Sequence, residues 1–271
     1  MAIQFKGRNI LITGGSKGIG LAVAQRLAQQ GANLFLVARK LKVLKEAQQS
    51  IKGYGVECEI ASCDVGNKAQ VKKTVAAMKK KMGSIDGLIN NAGFSIPAYF
   101  HEAKLADFEK LMQTDYFGSV YFAKEVYPHL KKGDFITFTS SVVGYMGVFG
   151  FSSYAGPKFA LIGLAEVLEQ EMTPQGIQVS VLCPPDTDTP GFEQEEQTKP
   201  FETKKLSESA KLMSPDGVAE VFLKKLQKGK FIITCNFESW LFYRLHGAMP
   251  GLVRFVMGKM IASAQKARAK S

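Results

Sequence analysis

Short apolar runs and amphipathic segments alternate along the first two thirds of the chain. The apolar runs predict strands at residues 9–13, 33–38, 56–62, 86–90, 134–139 and 178–183. Between them, apolar residues at helical spacing predict helices at residues 17–30, 41–52, 68–82, 108–130 and 154–172. Strands that alternate with helices form parallel sheets, and continuous apolar strands suit a sheet covered on both faces. The pattern predicts an α/β fold, a doubly wound parallel sheet in a single domain over residues 1–235.

Two later segments differ from this alternation. Residues 186–213 are polar and rich in charge, and a long segment of this kind in a compact domain is typical of a substrate loop or lid. Residues 236–271 form a basic, amphipathic tail in which apolar residues recur at helical spacing: Leu241, Leu245, Ala248, Leu252, Val256 and Met260. Arg244, Arg254 and Lys259 interrupt this run, so it is a poor transmembrane span. Pro250 is expected to kink or divide the helix.

The charge of the chain leaves two environments open for this tail. The formal net charge is +11 over 271 residues, which attracts polyanions such as a phosphorylated cofactor, an acidic membrane surface or a nucleic acid. No nucleic-acid-binding module is recognised, so we expect no nucleic-acid partner. The tail helix is expected either to pack on the core or on another subunit, or to lie on a membrane surface.

Cysteine and histidine positions argue against a metal centre. Cys58, Cys63, Cys183 and Cys235 form no Cys-x-x-Cys pair, and the three histidines lie far apart. This predicts reduced thiols and no bound metal. We expect a cytoplasmic protein, with peripheral contact to the cytoplasmic membrane face as the alternative placement.

A glycine turn follows the first predicted strand. The segment Thr13-Gly-Gly-Ser-Lys-Gly-Ile-Gly20 leads into a helix, where free backbone N–H groups can bind a phosphate. Glycines leave room for the close approach of the phosphate to the backbone. The turn predicts a Rossmann-type dinucleotide site that includes Gly14, Ser16, Lys17, Gly18, Ile19 and Gly20.

Cations after the second strand favour NADP(H) over NAD(H). NAD sites carry an acidic residue there, which binds the ribose hydroxyls. This chain has Arg39 and Lys40 instead, and Arg39 can pair with a 2′-phosphate. Later strand ends add Asp64 and Val65, then Asn91, Ala92 and Gly93, as further cofactor contacts.

A tyrosine and a lysine four residues apart supply candidate chemistry. Reduction of a ketone needs an acid that protonates the emerging alkoxide, and Tyr154 can act as that acid. Lys158 shares a helix face with it and is expected to lower the pKa of the phenol and to bind the nicotinamide ribose. Ser141, just past a strand end, can hydrogen-bond the carbonyl oxygen.

These motifs, in this order, resemble the short-chain dehydrogenase/reductase family over residues 7 to 190. The resemblance implies that Ser141, Tyr154 and Lys158 are catalytic. It also implies cofactor contacts for Pro184, Thr187 and Thr189, and a homodimer or homotetramer through residues 108–130 and 154–172. Where the family has a catalytic asparagine, this chain has Asp115. A role of the backbone in a proton relay survives that change, whereas donation by a side-chain amide does not.

Within the family, the segment Pro184-Pro-Asp-Thr-Asp-Thr-Pro-Gly-Phe192 resembles the 3-ketodihydrosphingosine reductases. That resemblance implies reduction of the ketone of a long-chain amino alcohol by NADPH, a step of sphingolipid synthesis. Two sets of residues suit such a lipid-like substrate: Phe149, Phe151, Phe192 and the apolar tail helix for an apolar channel, and Glu193, Glu195 or Glu196 for the amine. The acids are also interpretable as solvated loop charges. Two alternatives stay open: a reductase of another lipid-like or 3-oxoacyl substrate, and a non-catalytic NADPH-binding protein at a membrane surface.

Overall fold

A computed structural model describes residues 3–208 and 211–269 of the chain. Its strands are β1 Asn9–Thr13, β2 Asn33–Ala38, β3 Cys58–Ser62, β4 Gly87–Asn90, β5 Phe135–Thr139, β6 Gln178–Cys183 and β7 Ile232–Thr234. The first helices are α1 Gly18–Gln29, α2 Leu41–Ile51, α3 Lys68–Met82, α4 Leu105–Leu111, α5 Gly118–Val126 and α6 Ser152–Met172. The later ones are α7 Pro190–Glu196, α8 Phe201–Ser207, α9 Pro215–Gln227, α10 Phe237–Ala248 and α11 Pro250–Arg268.

All seven strands pair in parallel in the order β3-β2-β1-β4-β5-β6-β7. The strand order reverses between β1 and β4, and ligands of doubly wound sheets bind at the carboxyl ends of the strands beside such a point. Apolar cores fill both faces of the sheet, one around Leu27 and Leu226 and the other around Met78 and Leu161. The predicted fold class is confirmed, including the C-terminal helical extension.

The helix predicted over residues 108–130 has a different form. It begins earlier, at Leu105, and a π turn at Met112–Phe117 separates α4 from α5. Pro128 lies in a 3-10 turn after α5, because proline has no N–H to continue the helix. The π turn carries Asp115 and so changes the direction of that side chain relative to a regular helix.

The segment predicted as a lid contains two short helices. The Thr189 hydroxyl caps α7 by accepting a hydrogen bond from the Phe192 N–H at 3.1 Å. A parallel bridge joins Thr187 to Met213 and closes the base of the segment. Residues 209–210 lie outside the described residues, and movement of this segment as a lid stays a prediction.

The tail consists of two helices separated at Met249, directly before Pro250. The chain therefore divides where the proline predicts. Residues 270–271 of the predicted tail lie outside the described residues. Within residues 3–208 and 211–269, no helix combines the length and apolarity needed to cross a membrane.

Candidate active site

The glycine turn and the end of β4 are fastened to each other. The Thr13 hydroxyl accepts hydrogen bonds from the N–H groups of Asn91 and Ala92, both at 3.0 Å. The Asn91 side chain donates back to the Thr13 carbonyl at 3.3 Å. A Cβ on Gly20 would lie 2.4 Å from the Gly14 carbonyl oxygen, so the turn requires glycine there. These contacts hold the glycine turn and the end of β4 together as one surface at the base of the cavity.

The backbone of this surface is suited to bind a pyrophosphate. Gly14 and Gly18 have φ angles of +66° and +53°, which other residues rarely adopt. The turn leads into the first turn of α1, which has no acidic residue to compete for its N–H groups. Nearby, the buried Thr139 Oγ1 lines the cavity and has no hydrogen-bond partner in the described part of the chain. The phosphate oxygens of a bound nucleotide would accept hydrogen bonds from these N–H groups, and its polar groups would give the Thr139 hydroxyl a partner.

A cavity of about 800 Å³ opens at the carboxyl ends of the central strands. It brings together thirteen of the site residues expected from the sequence: Gly14, Lys17, Gly18, Ile19, Asn91, Ala92, Gly93, Ser141, Tyr154, Lys158, Pro184, Thr187 and Thr189. The remaining expected residues do not line it: Ser16, Gly20, Arg39, Lys40, Asp64, Val65 and Asp115.

Residues expected at the adenosine end lie along the same edge of the sheet. Arg39 and Lys40 are exposed directly after β2, and Asp64 is exposed after β3. The Arg39 carbonyl accepts a hydrogen bond from the Ser62 hydroxyl at 2.8 Å, which ties the two strand ends together. Val65 is buried, with Gly118 packed against it, so its side chain is part of the core. The exposed cations are free to meet a phosphate beyond the cavity.

Ser141, Tyr154 and Lys158, the residues expected to be catalytic, all line the cavity. Ser141 follows β5, and Tyr154 and Lys158 lie on α6; both Ser141 and Lys158 favour the ionised form of the Tyr154 hydroxyl and so oppose a rise of its pKa. The Lys158 Nζ lies 5.2 Å from the centre of the Tyr154 ring and donates to the Thr139 carbonyl at 3.0 Å. The Lys158 carbonyl in turn accepts from the Ser140 hydroxyl at 2.8 Å.

Asp115 reaches this group from the π turn. Its side chain is fully buried, and its Oδ2 lies 3.1 Å from the Lys158 Nζ. Its Oδ1 accepts a hydrogen bond from the Phe94 N–H at 3.3 Å. Gly93 makes this approach possible, because a Cβ there would lie 2.8 Å from Asp115 Oδ2 and 3.1 Å from Lys158 Nζ. Asp115 therefore contacts the cavity residues from behind instead of lining the cavity.

The electrostatics of Tyr154 differ from the sequence-based expectation. We expected Lys158 to lower the pKa of the phenol, but burial raises that pKa to about 12. Lys158 opposes the rise, whereas the negative charges of Asp115 and Glu195 add to it. Burial lowers the pKa of Lys158, but the phenolate form of Tyr154 and the Asp115 carboxylate outweigh burial and raise it. In this state the phenol is a neutral proton donor beside a charged ammonium.

The sequence indicated Glu195 and Glu196 as candidate contacts of the substrate amine, but it did not single out Lys199, the buried lysine with which they pair. Glu195 lines the cavity, accepts from the Ser95 hydroxyl and lies 3.1 Å from the Lys199 Nζ. Glu196 pairs with the same buried lysine, and Asp186 lies 3.9 Å from it. The i,i+4 and i,i+3 spacing of these glutamates from Lys199 was the available signal.

The remaining wall is apolar. Side chains that face the cavity include Val148, Phe151, Phe192, Leu241, Phe242, Met257 and Met260. Two of the three predicted channel residues are therefore present. Phe149 is not, because it lines a separate cavity beside Phe100 and packs against the ring of Tyr99. Both tail helices contribute, so the tail completes the wall of the cavity.

Comparisons with known proteins agree with this architecture. Residues 8–200 match the short chain dehydrogenase family. A 3-ketodihydrosphingosine reductase from Dictyostelium discoideum is 40% identical to the chain over 272 residues, a match that covers 93% of this chain and 80% of that protein.

Solved structures share the fold. A short chain dehydrogenase/reductase from Burkholderia phymatum in complex with NAD superposes with a TM-score of 0.82 at 22% identity, over 92% of this chain and 96% of that one. A short chain dehydrogenase from Burkholderia cenocepacia J2315 in complex with NADP superposes with a TM-score of 0.78 at 24% identity, over 86% of this chain and 98% of that one. Proteins of this fold thus carry either dinucleotide.

The family match spans most of the sheet and includes the glycine turn, Ser141, Tyr154 and Lys158. The relative from Dictyostelium discoideum extends the similarity into the tail. The chain belongs to the short chain dehydrogenase family and is an oxidoreductase of that type.

Proposed function

We propose that the protein reduces the ketone of 3-ketodihydrosphingosine to the alcohol with NADPH. The observation that carries this proposal is one cavity with three different walls: a proton donor at Tyr154, an acidic group at Glu195 and an apolar wall from the tail helices. A long-chain amino ketone has the three matching parts. The 40% identical relative with that reductase activity in its name supports the same substrate class.

The residues around Tyr154 supply the proton chemistry. Bound NADPH supplies the hydride, which adds to the carbonyl carbon. The Tyr154 hydroxyl donates its proton to the carbonyl oxygen, so the ketone becomes a secondary alcohol and the tyrosine becomes a phenolate. The Lys158 ammonium stabilises that phenolate, and the Ser141 hydroxyl hydrogen-bonds the carbonyl oxygen.

Glu195 is the residue we assign to the substrate amine. Among the three glutamates weighed from the sequence, it is the one that lines the cavity, whereas Glu193 is exposed. The local charge also favours a cation, because the carboxylates of Asp186, Glu195 and Glu196 surround the single ammonium of Lys199. An ammonium group at Glu195 would reduce this excess negative charge.

The choice of NADPH rests on Arg39 and Lys40. Both cations are exposed at the end of β2, where an acidic residue would repel a 2′-phosphate. Arg39 can pair with that phosphate from the edge of the sheet. These positions support NADP(H) over NAD(H).

A substrate comparison tests the proposal. We would measure NADPH oxidation with 3-ketodihydrosphingosine and with a soluble 3-oxoacyl thioester, with NADH as the cofactor control. The matched variant is Tyr154→Phe, which keeps the ring and removes the proton donor; it should lose at least about a hundredfold in turnover and still bind NADPH. Preference for the thioester would replace the sphingoid substrate by a 3-oxoacyl one. Turnover with neither, despite NADPH binding, would favour the non-catalytic alternative.

A further inference from the structure

The tail helices expose an apolar face to solvent. On α11, Leu252, Phe255, Val256 and Met260 recur at helical spacing and are all exposed, Phe255 to 60%. Val253 and Ala264, on the adjacent side of the helix, are buried against the body of the protein. The packed side of α11 therefore accounts for only part of its apolar surface.

Helix α10 repeats this arrangement. Phe237, Trp240 and Leu241 lie on one side of the helix and are exposed, with Phe237 at 69% and Trp240 at 45%. We refer to the exposed residues Phe237, Trp240, Leu241, Leu252, Phe255, Val256 and Met260 as the tail face. An exposed apolar surface of this extent is typical of a binding surface.

The basic residues beside the tail face indicate that its partner carries negative charge. By helical spacing, Arg244 lies on the same side of α10 as Phe237, and Lys259 and Lys266 lie on the same side of α11 as Phe255. The Lys259 Nζ lies 4.7 Å from the centre of the Phe255 ring, so cation and apolar group share one surface. Residues 236–271 contain six basic residues and one acidic residue, Glu238, which lines the cavity. Apolar and basic groups on one helix face match the surface of an anionic bilayer.

The tail face is also continuous with the cavity. Leu241 and Met260 are exposed on the tail face and line the cavity as well. These two residues form an apolar rim between the outside of the tail helices and the chamber that contains Tyr154. A long-chain ketone that leaves a bilayer at this rim would stay in contact with apolar surface.

We propose that the tail face binds the surface of an anionic lipid bilayer, and that the substrate chain passes from the bilayer into the cavity across Leu241 and Met260. The first part does not depend on the substrate, whereas the passage step rests on the proposed function. A second copy of the chain is the competing occupant of the same face.

Trp240 provides a direct measurement, because it is the only tryptophan in the chain and lies on the tail face. Vesicles of phosphatidylcholine with phosphatidylglycerol should shift its emission to shorter wavelength and protect it from acrylamide. Vesicles of phosphatidylcholine alone should do so at least tenfold more weakly, and salt should reduce the binding. Unchanged emission with anionic vesicles, or equal binding to both vesicles, would overturn the proposal.

Substitutions on the tail face test whether this surface contacts the vesicles. Leu252→Asp with Phe255→Asp places two charges on the tail face away from the cavity lining, and co-sedimentation with anionic vesicles should fall at least tenfold. The matched control is Phe100→Asp with Leu105→Asp, two exposed apolar residues outside the tail, which should leave co-sedimentation unchanged. Vesicle binding that survives the tail variant would exclude the tail face. A dimer in solution that the tail variant dissociates, without vesicle binding by the parent protein, would assign the face to a second copy.

Activity separates the passage step from the catalytic proposal. The tail variant should turn over a soluble short-chain amino ketone at the parental rate and a vesicle-bound long-chain ketone at least tenfold more slowly. Equal loss on both substrates would point to damage in the cavity and overturn the passage step. Failure of the parent protein on every ketone would refute the proposed function and leave the vesicle-binding result standing.

Discussion

The Lys158 ammonium and the Asp115 carboxylate form an ion pair with 3.1 Å between Nζ and Oδ2, and both side chains are buried. The pair lies beside the Tyr154 phenol, so the side chain that we propose as the proton donor responds to two charges of opposite sign. The ammonium favours the phenolate and the carboxylate favours the neutral phenol. Proton donation at this site depends on the balance between them.

Removal of the carboxylate should make the phenol more acidic. Asp115 raises the pKa of Tyr154, so Asp115→Asn should lower that pKa. Oxidation of the alcohol uses the phenolate as its base, and its rise with pH should therefore begin at a lower pH in the variant. The measurement is kcat/KM for alcohol oxidation as a function of pH. Asp107→Asn, which removes a charge on α4, should leave the profile in place, and an upward shift in Asp115→Asn would contradict the assigned sign.

Reversal of charge at Arg39 should change the cofactor preference. Arg39→Asp places a carboxylate where a 2′-phosphate would lie, so we expect KM for NADPH to rise about tenfold to a hundredfold and KM for NADH to change much less. Steady-state kinetics with both cofactors measure the ratio. Lys45→Asp, the same kind of change at an exposed position of α2, is the control. Equal effects on both cofactors would remove Arg39 from phosphate recognition.

Neutralisation of Glu195 should separate amine recognition from reduction. Glu195→Gln keeps the shape of the side chain and removes its charge, so KM for a long-chain amino ketone should rise about tenfold. A matched ketone without the amine should show little change in KM, and it also reports any effect of the variant through Tyr154. Glu193→Gln, on the same short helix but exposed, is the control. Parallel changes for both ketones would argue against an amine contact.

A methyl group at Gly144 should disturb the support of Lys158. An added Cβ would lie 2.0 Å from the Ser140 Oγ and 2.9 Å from the Lys158 carbonyl oxygen, which the Ser140 hydroxyl contacts. Gly144→Ala should therefore reduce the free energy of unfolding by about 1–3 kcal/mol and lower the activity. Gly147→Ala meets nothing within 4 Å and should be nearly neutral. Thermal unfolding of both variants measures this difference in stability, and equal melting temperatures would refute the steric argument.

Continuous apolar runs such as residues 178–183 predicted the sheet well, because buried parallel strands need apolar side chains on both faces. The strand Ile232–Thr234 escaped detection because three residues are too few to define a period. The order of motifs along the chain predicted which residues meet at the cavity, since strand ends of a parallel sheet share one edge.

Other properties depend on three-dimensional burial. The pKa of Tyr154 follows from the exclusion of water around the ring, which the Tyr154–Lys158 spacing does not reveal. The distinction between Glu193 and Glu195 depends on which side of α7 turns toward the cavity. Likewise, the apolar residues of the tail surround much of the helix, so periodicity alone did not indicate that Val253 would pack and Phe255 would face outward. The expected dimer or tetramer stays a prediction.

Helices α10 and α11 form one wall of the cavity and are the last helices of the chain. Binding of the cofactor and binding of a long apolar substrate therefore depend on different parts of the sequence. The glycine turn and the strand ends that would hold the dinucleotide are complete by residue 189, whereas Met257 and Met260 join the chamber only when the last helix has been made. A chain that ends before α11 thus contains every residue that we expect to hold the cofactor, together with both sides of the sheet, but not the complete apolar wall of the cavity. Shortened chains that lack α11 should accordingly bind the dinucleotide but lack a complete apolar wall for a long-chain substrate.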